Sequence, residues 1–203
     1  SCTDKTNKIS EIVEVDMEMQ MANRYKEGFF ELQKGDVLLA AKKFNEAELL
    51  FPQSTWAPKS AIMAAYAYYT QDYYGDAIFE LERYLETYPN HKDEVYARFL
   101  LGMSFYEQIV DEKKDLKPLL DSKKQFKLII KEYPKSEFAI DAEFKIDLIN
   151  EVLAAKEMYL ARYYLNKTKW IPALNRFKMV VKDYNTTIYT EEALHRLVEI
   201  NYR

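Results

Sequence analysis

One short pattern recurs four times in this chain and restricts what it can fold into. Four segments end in Phe51-Pro52-Gln53-Ser54, Tyr88-Pro89-Asn90-His91, Tyr133-Pro134-Lys135-Ser136 and Tyr184-Asn185-Thr186-Thr187. Eleven residues before each aromatic sit Ala40, Ala77, Ser122 and Ala173, and seven before it sit Phe44, Leu81, Phe126 and Phe177. A small residue followed four positions later by a large apolar one puts both on the same face of a helix. An aromatic followed by proline then ends that helix, because proline lacks the amide proton and disfavours the α conformation in the residue before it.

Each segment therefore reads as the second helix of a helix-turn-helix unit. Small residues also stand where a preceding first helix would run: Gly28, Ala65 and Ala161, each twelve residues before the small residue of the second helix, and Gly102, twenty before Ser122. Small residues on both helices let two backbones approach closely. The pattern resembles the A-x3-F…P half of the tetratricopeptide (TPR) repeat. The expected fold is all-α, a TPR-like α-solenoid of about four to five helix-turn-helix repeats, with one long helix in the C-terminal half. Repeats of this kind make surface for binding other chains and do no chemistry by themselves.

The boundaries follow from local signals. Gly35-Asp36 predicts a turn in which glycine relieves the backbone and Asp36 caps the next helix, which runs to about Leu50. Asp72 and Thr168 are the corresponding cap candidates in repeats two and four, and Pro58 and Pro172 fall in first helical turns. Ala77, Ile78, Leu81, Tyr84 and Leu85 form an apolar stripe at helical spacing. The wider spacing in repeat three falls on the charged stretch 111–118, read as a solvated insertion or a partner contact. Residues 137 to about 166 hold no Gly or Pro and keep a helical apolar period, predicting one long helix or two nearly continuous ones. A last helix is expected from about Thr190 to Tyr202. Residues 1–19 are polar or mixed and read as a tether, with repeat one beginning near Met21.

Composition narrows the function. Four glycines and six prolines are few for 203 residues and favour long helices over turn-rich β structure. A net charge of −4 argues against a general phosphate-binding surface, so no nucleic-acid partner is expected. No apolar run is long enough to span a bilayer. There is no phosphate-binding glycine loop, and His91 and His195 lie far apart without metal-ligand spacing around them. No nucleophile, base and orienting group can be nominated, so no enzyme activity, metal or cofactor is expected. The 17 tyrosines and 11 phenylalanines either pack between helices or line a groove for an extended peptide. The single cysteine, Cys2, follows Ser1 and precedes a polar run; this reads either as the start of a mature bacterial lipoprotein or as an ordinary cysteine.

The last third reads Lys156, Tyr159, Ala161, Tyr163-Tyr164, Trp170, Ala173-Leu174-Asn175-Arg176 and Asp183-Tyr184. The middle carries Ala65-Tyr66-Ala67-Tyr68-Tyr69, Asp72-Tyr73, Ala77-Ile78, Arg83-Tyr84, Tyr88-Pro89, His91, Tyr96, Arg98 and Gly102. In this order, with Cys2 at the start, they resemble the BamD (ComL) family, the TPR lipoproteins of the outer-membrane β-barrel assembly machine of Gram-negative bacteria. Two departures are Asn185 in place of the fourth proline and the stop at Arg203, where the family usually continues with another helix.

The resemblance implies lipidation at Cys2 and a location on the periplasmic face of the outer membrane. It implies a non-catalytic scaffold that binds a BamA-type β-barrel subunit through its periplasmic POTRA domain, BamC/BamE-type accessory lipoproteins, and unfolded outer-membrane proteins. On that reading 1–19 is the lipoprotein tether, 20–136 the substrate-facing repeats one to three, and 137–203 the BamA-facing repeats. Tyr66, Tyr69, Tyr73, Tyr96 and Arg98 are the candidates for a substrate-peptide groove, whereas Tyr68 and Tyr84 fall on core positions. Tyr164, Trp170, Asn175 and Arg176 are the candidates for the BamA-type contact, with Arg176 free to pair instead with Asp183 or Glu157 of its own chain. The alternative is another periplasmic TPR adaptor, for example in cell-envelope or division coordination.

Overall fold

The computed structural model describes the backbone of residues 6–108 and 115–202, and side chains from residue 17 onward. Cys2 and residues 111–114 of the charged stretch lie outside the described residues. Nine helices and no strand occur among the described residues: α1 (Thr6–Lys34), α2 (Val37–Leu50), α3 (Trp56–Tyr69), α4 (Tyr74–Thr87), α5 (Glu94–Glu107), α6 (Lys117–Glu132), α7 (Glu137–Asn166), α8 (Trp170–Asp183) and α9 (Thr190–Asn201). The chain forms two compact units, 1–108 and 109–203, so the third repeat contributes α5 to one and α6 to the other. Helix α1 begins at Thr6, well before the expected start near Met21, and 6–19 is helical backbone. The expected long helix is α7, a single 30-residue element.

The recurring pattern maps onto the structure position by position. Ala40, Ala77 and Ala173 have no exposed surface, nor do Phe44, Leu81, Phe126 and Phe177, and Ser122 is equally buried. Three residues beyond each large residue come Ala47, Tyr84, Ile129 and Val180, again fully buried. Each aromatic of the stop is the C-cap of its helix: Phe51 on α2, Tyr88 on α4, Tyr133 on α6 and Tyr184 on α8. Tyr184 caps without a following proline. Its N–H donates to the Val180 carbonyl at 3.0 Å, and its ring packs on the cluster of Ala154, Met158, Ala161, Ala173 and Phe177. Asn185 therefore leaves the helix stop where proline sets it elsewhere.

The first helices α1, α3 and α7 end in a different but equally regular way. Gly35 has φ +85°, Asp72 φ +64° and Thr168 φ +55°, each five residues before the small residue of the next helix. At each, the following N–H reaches five residues back: Asp36 to the Glu31 carbonyl, Tyr73 to that of Tyr68, and Lys169 to that of Tyr164. This is the left-handed stop that satisfies the last carbonyls of a helix. Asp36 caps α2 as expected, its Oδ1 accepting from the Leu39 N–H at 3.1 Å. The other two cap expectations fail for one reason. Asp72 and Thr168 hold the left-handed position of the preceding helix, one residue too early to cap, and the N-caps are Tyr73 and Lys169 with no side-chain cap bond. Asp72 instead accepts from the Tyr74 hydroxyl at 2.6 Å, and the Thr168 hydroxyl donates to the Lys167 carbonyl at 2.7 Å.

Gly28 shows why the small positions exist. A Cβ built there would lie 2.9 Å from Cδ1 and Cε1 of Phe44, whose ring is fully buried and cannot yield. Gly75, in the first turn of α4, has open space around it. Alanine gains about 1 kcal/mol of helix propensity over glycine, whereas overpacking a tight core costs typically about 1–3 kcal/mol. Thermal unfolding should therefore show Gly28→Ala destabilised and Gly75→Ala unchanged or stabilised. A Gly28→Ala protein at least as stable as the native one would mean that α1 and α2 do not cross at this residue.

Candidate interaction surfaces

In the first unit, Tyr66 and Tyr69 on α3 and Tyr96 and Arg98 on α5 come from first helices of successive repeats. Tyr69 and Tyr96 pack on the cluster of Ala61, Ala65, Leu81, Tyr84, Ala97 and Leu101, and Tyr66 is 36% exposed. Burial, reinforced by Tyr66 and Tyr69 close by, pushes the Tyr96 phenol up to about 12. The tyrosine edge thus runs from Tyr69 and Tyr96, packed on the core with desolvated phenols, to the more exposed Tyr66. Arg98 is held by Glu94, Nε to Oε1 at 2.9 Å, while the other Glu94 oxygen accepts the Asn90 N–H at 2.9 Å. Tyr73 is not brought to this group. Its ring meets Tyr68 edge-on at 6.5 Å, and Tyr68 packs on the separate cluster around Phe44.

In the second unit, Tyr164 and Trp170 flank the α7–α8 turn. Tyr164 is half-buried against the Ala161–Ala173–Phe177 cluster and meets the exposed Tyr163 ring at 5.8 Å. Trp170 opens α8 with 37% exposure, followed by Ile171 at 77%. Asn175 is exposed. Arg176 is half-buried and pairs with Glu157 of α7, Nη1 to Oε2 at 2.9 Å, which is one of the two intrachain partners anticipated for it. A groove of about 640 Å³ runs along α7, lined by Glu151, Val152, Ala155, Lys156, Tyr159, Leu160 and Tyr189. Tyr159 is 67% exposed. The Ile188 N–H donates to Glu151 Oε1 at 3.2 Å, whereas Oε2 is buried and has no hydrogen-bond partner among the described residues. Lys156 and Tyr159 belong to the run that carried the resemblance, but nothing in the run distinguishes groove from surface.

A buried ionic network escaped the sequence reading. Arg83 on α4 donates to both oxygens of Glu48 on α2, at 2.8 and 2.6 Å, and to Glu80 at 2.9 Å. The Tyr88 hydroxyl donates to Glu48 at 2.7 Å, and Asn45 donates to Glu80 at 3.0 Å. Glu48 and Glu80 are 5% and 8% exposed. Hydrogen bonding to Glu48 holds the Arg83 guanidinium protonated even more firmly than usual. A signal did exist: Glu48 stands four residues after Phe44, where the other repeats have Leu85, Ile130 and Val181. An acid at an apolar repeat position needs a cation within reach, and Arg83, with its side chain one-third exposed, is that cation.

Neither histidine gathers ligands. His91 Nδ1 is hydrogen-bonded with the hydroxyl of the buried Tyr84 at 2.8 Å and accepts from the Asp93 N–H at 3.3 Å, anchoring the turn between repeats. His195 is exposed and lies 3.3 Å from Glu199. Among the described residues no group of three His, Cys, Asp or Glu could hold a metal, and no helix is long and apolar enough to cross a membrane.

The family model of an outer membrane lipoprotein, YfiO, matches residues 17–203. The chain belongs to this family. Among its relatives, the outer membrane protein assembly factor BamD of Caulobacter vibrioides is 37% identical over 86% of this chain and 57% of its own length. The BamD of Rickettsia prowazekii is 35% identical over 91% of this chain and 73% of its own, and that of Neisseria gonorrhoeae 30% over 88% and 70%. The chain therefore spans little more than half of the Caulobacter protein. These relatives are named as assembly factors for outer membrane proteins. The family is one of TPR-like helical repeats, in keeping with the alternating left-handed and aromatic stops described above.

The network gives a stability test. Arg83→Met removes the cation and leaves two buried carboxylates facing each other, a loss expected at about 3–5 kcal/mol. Urea unfolding at neutral pH should show a large drop in midpoint, whereas Arg24→Met, which removes an exposed pair with Glu27, should change little.

Proposed function

We propose that the chain is a non-catalytic scaffold of the outer-membrane β-barrel assembly machinery, held to the periplasmic face of the outer membrane by a lipid on Cys2. On this reading the C-terminal repeats bind a BamA-type subunit through its periplasmic POTRA domain, BamC/BamE-type lipoproteins join them, and the N-terminal repeats receive unfolded outer-membrane proteins. The observation that carries the reading is the family match over residues 17–203, together with relatives named for outer membrane protein assembly.

The geometry is in keeping with that division. Unfolded barrel strands alternate apolar and polar residues. The edge made by Tyr66, Tyr69 and Tyr96 offers ring faces to the apolar residues and hydroxyls to the backbone between them. Tyr73 takes no part in that edge, and its role as a groove residue rests on the resemblance alone. In the second unit, Trp170 and Asn175 are exposed on α8, and the Tyr164 carbonyl closes the turn before Trp170 by accepting the Lys169 N–H at 2.9 Å. Aromatic anchors beside polar groups are what a specific protein contact uses. Arg176 keeps donors beyond those given to Glu157 and is about one-third exposed, so it can add a carboxylate of the partner without breaking its own pair.

Capture by an immobilised periplasmic fragment of a BamA-type subunit tests the proposal. Native protein should bind, and Trp170→Ala should weaken binding by roughly tenfold or more, the cost of losing an aromatic anchor. Phe79→Ala, which truncates an exposed ring on α4 of the first unit, should bind as native. Failure of the native protein to bind would overturn the reading. Equal binding by Trp170→Ala would remove α8 from the contact.

A further inference from the structure

The repeat register shows a change of charge on the outer face of the second helices. One and five residues beyond the large buried residue lie Glu82 and Glu86 on α4, but Lys127 and Lys131 on α6 and Lys178 and Lys182 on α8. All six are exposed. Lys124, one helical turn before Lys127, adds a fifth exposed lysine. On α6 these residues border a shallow depression of about 400 Å³, lined by Leu120, Lys123, Lys124, Lys127, Leu128 and Lys131.

These lysines are not consumed by intrachain pairing. Lys124, Lys127, Lys178 and Lys182 make no hydrogen bond or ion pair with the described residues, while Lys131 meets the exposed Glu132 at 2.7 Å. Asp121, the other acid on α6, is already paired with Lys117. Lys123 has a structural role: its Nζ donates to Asn150 of α7 at 2.6 Å and lies 5.3 Å from the centre of the Tyr184 ring at the end of α8. That contact ties α6 to α7 and to the C-terminal end of α8. Lys131 and Lys182 stand in last helical turns, where they also offset the helix dipole. Lys124, Lys127 and Lys178 have no such local role. The chain as a whole carries −4, so this face runs against its overall charge.

We infer that the lysine face of α6 and α8 rests on an anionic phospholipid surface. Three observations favour lipid over an acidic protein. The face holds exposed lysines and no arginine, so it presents diffuse point charge and not the fixed bidentate fork that selects a single carboxylate or phosphate. The depression is shallow and offers no cleft to take up a peptide. Leu120, 52% exposed, stands among the lysines, where it can enter the headgroup boundary. The inference rests on the membrane association proposed above for its setting. Its test uses no partner subunit, so either idea can fail alone.

Co-sedimentation of the purified, non-acylated chain with lipid vesicles tests it. Binding is expected to vesicles containing about one-third phosphatidylglycerol in phosphatidylcholine, weakening as salt rises, and not to phosphatidylcholine alone. Lys127→Glu/Lys178→Glu should reduce binding by about tenfold or more, since each basic residue near such a surface contributes several-fold. Lys127→Arg/Lys178→Arg should bind as native, and unchanged thermal unfolding of both variants would exclude a folding defect. No binding to the anionic vesicles, or equal binding by the Glu variant, overturns the inference. So does capture of soluble polyglutamate as tightly as of vesicles, which would assign the face to an acidic protein.

Discussion

A close approach between two helices, repeated along the chain, sets the geometry of this fold. A small residue on one helix admits a large ring from the next, as Gly28 admits Phe44, and no larger side chain fits there without moving the ring. That single contact fixes the depth at which the helices pack. The stops then fix where each helix may turn: a left-handed residue after α1, α3 and α7, an aromatic cap after each second helix. Side chains between these points are left to pack, to face solvent or to bind.

Much of this is legible in the sequence because it is local and periodic. The small–large–aromatic pattern identifies the second helices, and the absence of Gly and Pro from 137 to 166 identifies α7. What misleads is chemistry that serves two ends. Asp72 and Thr168 look like N-caps, yet each holds the left-handed stop of the preceding helix, a position more often glycine, as at Gly35. The Glu48–Arg83–Glu80 network stays hidden because Glu48 and Arg83 lie one repeat apart, and pairing across that distance follows from packing, not from local pattern.

The candidate surfaces divide the same way. Tyr66 and Tyr69 are legible as neighbours because they lie one helical turn apart on α3, whereas Tyr96 holds no equivalent repeat position and comes near them only through the packing of α5. Sequence does not separate Tyr73 from them, since that residue lies in a turn whose direction depends on the left-handed residue before it. Arg176 has an intrachain partner, Glu157, that spacing alone offers only as one of two. The groove along α7 depends on Tyr189, from the turn before α9, and so appears only once the helices are assembled.

Docking of a BamA-type subunit on the second unit, whose helices are already held by their own packing, would leave a direct trace in hydrogen–deuterium exchange. The full chain is compared with and without a periplasmic fragment of that subunit. Added protection is expected in α7, α8 and α9, with α1 to α4 unchanged. A complex that forms with protection confined to residues 1–108, or with none anywhere, is incompatible with docking on α7 to α9.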